Sequence, residues 1–251
     1  MVGRQMLVKD LEKVLSLFKP WGRQNDSMDR GTRFIYDCNT YSDLEARITA
    51  EGLDAANKNY AYHRWFNFKT SKEAEDIFLK NGCIKSGNPK SHKIDFFIPD
   101  YKGQKISYDL KLTVFPKRFD FSESVISKDD PASLMTRMAR NELARWYYGN
   151  QSPEGRYHVA NRLFLVGLPY WASGESSPAG EFDDQRIKYD FQAIEDAVPK
   201  FLEYHKNRPL NRIDLGGVLK YSDVIFIRGS KNGTGTVCTA PTQGSAQDNV
   251  A

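Results

Sequence analysis

The sequence predicts an α/β protein in which a mixed β-sheet is flanked by helices. Three observations carry this. Apolar residues ahead of position 80 recur at helical spacing, residues 94 to 114 switch to a period of two around a turn, and helical and strand-like segments alternate from 132 to 228. Helices before a hairpin, followed by alternation, fit a sheet covered by helices.

Leu7, Leu11, Val14, Leu15 and Phe18 mark a first helix that Pro20 stops, and the polar stretch Gly22 to Thr32 reads as a long loop. A second helix begins near Ser42 or Asp43 and runs through Ile48 and Leu53. Thr70 precedes Glu73 at capping-box spacing, so a third helix is expected to start there, with Ala74, Ile77 and Phe78 on one face until Asn81-Gly82. Two strands follow, from Ile94 to Ile98 and from Lys105 to Val114, around Asp100-Tyr101-Lys102-Gly103. Ala132 to Tyr148 reads as a helix, Arg162 to Leu168 as a buried strand, Asp190 to Tyr204 as a helix containing Pro199, and Ser222 to Arg228 as a last strand. Residues 1–228 are expected to form one domain, with 1–60 as its helical part. The end, 229–251, has almost no large apolar residue to offset the entropy of ordering and is expected to be disordered or loosely packed.

Of the 251 residues, 40% are hydrophobic and 27% charged, and no apolar run approaches the roughly 18 residues that cross a bilayer. Met1 to Phe18 carries charges inside its apolar pattern, unlike a secretory signal, so a cytoplasmic protein without a membrane partner is expected. Cys38, Cys83 and Cys238 are too few and too scattered for a disulfide framework, and the four histidines show no zinc spacing. Walker-type glycine loops and serine-centred nucleophile elbows are absent from the sequence.

The hairpin carries the chemistry. A three-residue turn Tyr101-Lys102-Gly103, with Gly103 in the left-handed conformation, sets Asp100 against Gln104 and Asp95 directly opposite Asp109. Opposed residues of an antiparallel pair share a face with Cβ atoms roughly 5 Å apart, and Lys111, two residues on, projects from the same face. Adjacent carboxylates repel and call for a compensating cation. Oxygen-only ligands favour Mg2+ or Mn2+, which such sites hold together with substrate phosphate oxygens, and a neighbouring lysine can orient the attacking water or stabilise the transition state. Phosphodiester hydrolysis is therefore the expected reaction. The competing reading is a solvent-facing ion pair. Ile94, Phe96, Ile98, Leu110, Leu112 and Val114 form an apolar opposite face, which argues for an acid cluster in a cleft.

An acid on a helix, then Asp95, then Asp109-Leu110-Lys111 resembles the PD-(D/E)XK nuclease superfamily, the restriction-endonuclease-like fold, over roughly Phe66 to Phe115. The resemblance implies that Asp95 and Asp109 bind the metal, that Lys111 is the catalytic lysine, and that a helix acid joins the ligands. Glu75 is favoured there, because the capping box already explains Glu73. Ile94 stands where the family has proline. The literal Pro99-Asp100 lies at the hairpin tip, about 15 Å from Asp109, so Asp100 is set aside as a ligand.

The net charge is +4, yet nine basic residues from Lys80 to Arg118 face only Asp95, Asp100 and Asp109, a local +6 that suits a phosphate backbone. Lys93, Lys117, Arg118, Arg137, Arg156 and Arg162 are the candidate nucleic-acid contacts, with DNA favoured over RNA. Arg140 and Arg145 read more simply as a solvated helix face, and Tyr60, Tyr62, Trp65, Phe66 and Phe68 as core. A homodimer is left open. The alternative function is a catalytically inactive nucleic-acid-binding or assembly protein with the same fold.

Overall fold

The computed structural model describes residues 2–19, 25–87, 94–150, 160–169 and 185–228. The chain groups into two units, Met1–Glu73 and Ala74–Ala251. The stretch 229–251 lies outside the described residues.

The first unit is helical. Helix α1 spans Val2–Leu15, α2 Asp26–Gly31 and α3 Tyr41–Ala50, and α4, Ala55–Lys80, continues past the unit's end. The expected loop between 22 and 32 therefore contains a short helix, capped by Asn25, whose side chain accepts from the amides of Ser27 and Met28. Helix α3 starts with a capping box between Thr40 and Asp43. The helix expected to begin at Thr70 is instead the later part of α4. Thr70 is buried in mid-helix, and its hydroxyl donates back to the Phe66 carbonyl four residues earlier, so the capping-box signal fails there. Glu73 pairs with Arg4 at 2.7 Å. Leu11, Val14, Ile35, Leu44, Tyr62, Trp65 and Phe66 are buried, and the Trp65 indole donates to the Cys38 carbonyl.

The second unit is built on a six-stranded sheet: β1 Ile84–Lys85, β2 Phe96–Pro99, β3 Lys105–Val114, β4 Arg162–Gly167, β5 Arg212–Asp214 and β6 Leu219–Ile227, in the order β1-β2-β3-β4-β6-β5. The pairs β1/β2, β2/β3 and β5/β6 are antiparallel, while β3/β4 and β4/β6 are parallel. The mixed sheet flanked by helices is as the sequence predicts. Edge strands β1 and β5 are two and three residues long, too short for a period-two signal.

Helix α5, Arg137–Asn150, follows a 3-10 turn at Pro131–Met135 and packs Leu143, Tyr147 and Tyr148 onto Phe164, Val166, Val224 and Phe226 of the sheet. Helix α6, Phe191–His205, buries Ile194, Ala197, Val198 and Phe201 and tolerates Pro199. At the end of α4, Phe78 stacks on Phe96 of β2 at 4.7 Å between ring centres. Gly167 ends β4 where a 3-10 turn, Gln185–Tyr189, crosses it so closely that a Cβ would lie 2.2 Å from Ile187 Cγ2. Among the described residues no helix is long and apolar enough to cross a membrane.

Candidate metal and phosphate site

The hairpin has the expected register. Phe96 pairs with Tyr108, Ile98 with Ile106 and Pro99 with Lys105, and the Asp100 amide donates to the Gln104 carbonyl. Gly103 has φ +80°, the left-handed turn conformation. The Asp100 carboxylate accepts from the amides of Lys102 and Gln104, so it builds the turn.

Counting on from Phe96 and Tyr108 brings Asp95 level with Asp109, but the ladder stops one step short. Asp95 sits in a bend just before β2 and its amide donates to the Tyr108 carbonyl at 2.8 Å. The Asp109 amide points the other way, to the Asn161 carbonyl at the mouth of β4. The next amide of β3, on Leu110, therefore faces the side that β2 has left. The Asp95 carboxylate takes that amide, with Oδ2 2.7 Å from Leu110 N. The bend that leads into β2 thus pins a carboxylate against β3, near the charge of Asp109.

Asp109 is 6% exposed and engaged on both oxygens. Lys111 Nζ lies 2.8 Å from Oδ1, and Arg162 Nε lies 3.2 Å from Oδ2. Lys111 reaches it because residues two apart on a strand share a face, and Arg162 because it is the parallel partner of Asp109 across β3 and β4. The Arg162 guanidinium also lies 5.3 Å over the Tyr148 ring, whose hydroxyl donates to the Ala160 carbonyl. Asn161 holds the strand mouths together: its Nδ2 donates to the Ser107 carbonyl, and its Oδ1 accepts from the Tyr221 amide.

Burial pushes the Asp95 carboxyl above the usual carboxylate range, and the negative charges of Asp109 and Glu75 push it further. The Leu110 N–H and the Lys111 ammonium oppose them. Burial is thus the main cause of the raised Asp95 carboxyl, with the neighbouring acids adding to it. Glu75, on α4, is one of those acids, yet among the described residues no three His, Cys, Asp or Glu side chains stand together as a group able to hold a metal ion.

Of the candidate phosphate contacts, Lys117 and Arg118 are exposed just beyond β3. Arg137 is exposed on α5 and donates to Asn211 Oδ1. Lys93 and Arg156 lie outside the described residues. Arg162, expected to meet phosphate, is instead buried at 8% exposure and turned onto Asp109. The sequence reading therefore missed its pairing with Asp109, and the place of Tyr148 beneath it. The only hint was the polar Asn161-Arg162 step at the start of an apolar strand.

A second charged cluster lies in the core of the unit. Asp223 of β6, 3% exposed, accepts from Arg140 Nε at 2.9 Å and has His205 Nε2 3.6 Å from its other oxygen. Burial alone would raise this carboxyl; His205, Arg140 and the Val224 amide outweigh it and hold Asp223 below its ordinary value. Arg140 is thus a buried counter-ion, and the solvated helix face expected for it is corrected.

No family model, curated protein or solved structure matches the chain.

Proposed function

We propose that the second unit is a metal-dependent nuclease of the restriction-endonuclease-like, PD-(D/E)XK kind, acting on DNA rather than RNA. The observation that carries the reading is the pair of carboxylates at Asp95 and Asp109 with Lys111 on Asp109 Oδ1, reached from a bend before the second strand and from the third strand of the sheet. Glu75 precedes them on a helix, which is the order of elements the resemblance requires.

The donor set fits Mg2+ or Mn2+. It is all oxygen, and such ions commonly take one or two carboxylates and complete their shell with water and phosphate oxygens. Asp95 brings a second carboxylate to β3, where its Oδ2 accepts from the Leu110 amide. Asp95 and Asp109 would hold the ion, which when bound supplies an activated water and charge stabilisation at phosphorus. Lys111, the more exposed of the two cations on Asp109, is the group able to meet a phosphate oxygen. Arg162 neutralises and orients Asp109 from below. Lys117 and Arg118 offer exposed positive charge to the flanking backbone.

The test incubates the purified protein with supercoiled, linear and single-stranded DNA and with RNA, under Mg2+ or Mn2+ and with a chelator. The expected result is chelator-sensitive DNA cleavage that falls on the order of a hundredfold or more in Asp109→Asn. One observation favours a second reading, a nucleic-acid-binding protein without catalysis: Asp109 already has both oxygens paired, and Asp95 serves a backbone amide. DNA retention without cleavage under either metal would select it.

A further inference from the structure

We propose that a divalent ion enters this site by exchanging with Lys111 at Asp109 Oδ1, while Arg162 stays on Oδ2 as a permanent counter-ion. The inference rests on the metal-dependent reading above. Its basis is an asymmetry between two cations on one carboxylate. The Lys111 side chain is 37% exposed and the Arg162 side chain 10%. Lys111 is a point charge on a flexible stem that can swing into water at little cost. Arg162 is planar, lies 5.3 Å over the Tyr148 ring, and is bonded to Asp109 from the adjacent strand. Withdrawing it would leave Asp109 a buried carboxylate without its inner partner and strip a guanidinium from its ring.

The backbone beneath is equally fixed. The Asp109 amide bonds to the Asn161 carbonyl, and Asn161 bridges Ser107 and Tyr221. The buried hold on the carboxylate is therefore on Oδ2, and Oδ1, paired with the more exposed cation, is its exchangeable oxygen. An ion and an ammonium on that same oxygen repel, so the ion gains Oδ1 as Lys111 yields it. The freed ammonium is then beside the ion, where a bound phosphodiester would present its oxygens. One displacement thus both admits the ion and releases the lysine for the phosphate.

The experiment measures Mn2+ uptake by calorimetry for the full chain and for Lys111→Met, which leaves Arg162 on Asp109. Amine labelling by acetic anhydride and guanidinium labelling by phenylglyoxal are read by mass spectrometry with and without Mn2+. The expected results are binding about tenfold or more tighter in Lys111→Met, a rise in Lys111 acetylation on adding Mn2+, and an Arg162 that stays unreactive throughout. Equal or weaker binding in Lys111→Met, Lys111 labelling that is unchanged or falls, or Mn2+-induced labelling of Arg162 would overturn the exchange while leaving metal binding in place. Mn2+ uptake by neither protein would instead sink the metal reading, and the exchange with it.

Discussion

The two cations on Asp109 should contribute very differently to stability, and double-mutant cycles measure the difference. Asp109→Asn, Arg162→Gln and their combination form one cycle; Asp109→Asn, Lys111→Met and their combination form the other. At 3.2 Å, with both side chains about nine-tenths buried, the Asp109–Arg162 attraction is about 5 kcal/mol in gross terms at an effective dielectric constant near 20. Desolvation of both ions takes back part of it, which leaves a coupling of about 2–3 kcal/mol. The Asp109–Lys111 distance is shorter, 2.8 Å, but the lysine is 37% exposed and screened by water, so its coupling should be about 0.2–1 kcal/mol. Urea unfolding of the six proteins at pH 7, followed by circular dichroism, reads both numbers. A Lys111 coupling equal to or larger than that of Arg162 would refute the assignment of Arg162 as the inner counter-ion.

Other outcomes follow from the same geometry. Gly167→Ala places a Cβ 2.2 Å from Ile187 Cγ2 and should lower stability by about 1–3 kcal/mol through overpacking, visible as a lower urea midpoint; an unchanged midpoint would show that the 3-10 turn over β4 yields freely. Gly103→Ala forces a Cβ into φ +80° at the hairpin turn and should cost about 1 kcal/mol, whereas Gly87→Ala, with nothing within 4 Å and no positive φ, should cost less. Asp223 has its folded-state pKa held below 3.8, so the stability it contributes is present above that value and lost as pH falls below it. Wild-type stability should therefore drop below pH 4 with a slope steeper than that of Asp223→Asn by up to about 1.4 kcal/mol per pH unit, and parallel slopes would contradict this.

The hairpin was legible because its register is local: a glycine able to take positive φ fixes the turn, and counting outward sets Asp95 level with Asp109. Counting could not show that β2 begins only at Phe96, which turns Asp95 into the partner of the Leu110 amide. The Thr70-to-Glu73 spacing misled because a threonine within a helix satisfies its hydroxyl on the carbonyl four residues back, and sequence spacing does not distinguish the two cases. The short helix after Asn25 shows the reverse, a cap signal without a long apolar stripe behind it. Arg162 and Arg140 were read as surface cations because their partners, Asp109 and Asp223, lie 53 and 83 residues away and meet them only through strand pairing and helix packing. Buried ion pairs of this kind depend on topology, to which periodicity is blind.

The most direct measurement is anomalous diffraction from a crystal of the protein soaked in Mn2+. The account predicts a peak at the carboxylates of Asp95 and Asp109, with Arg162 still on Asp109 and Lys111 displaced. Carboxylates that keep both Lys111 and Arg162, with no peak between them at millimolar metal, would contradict it.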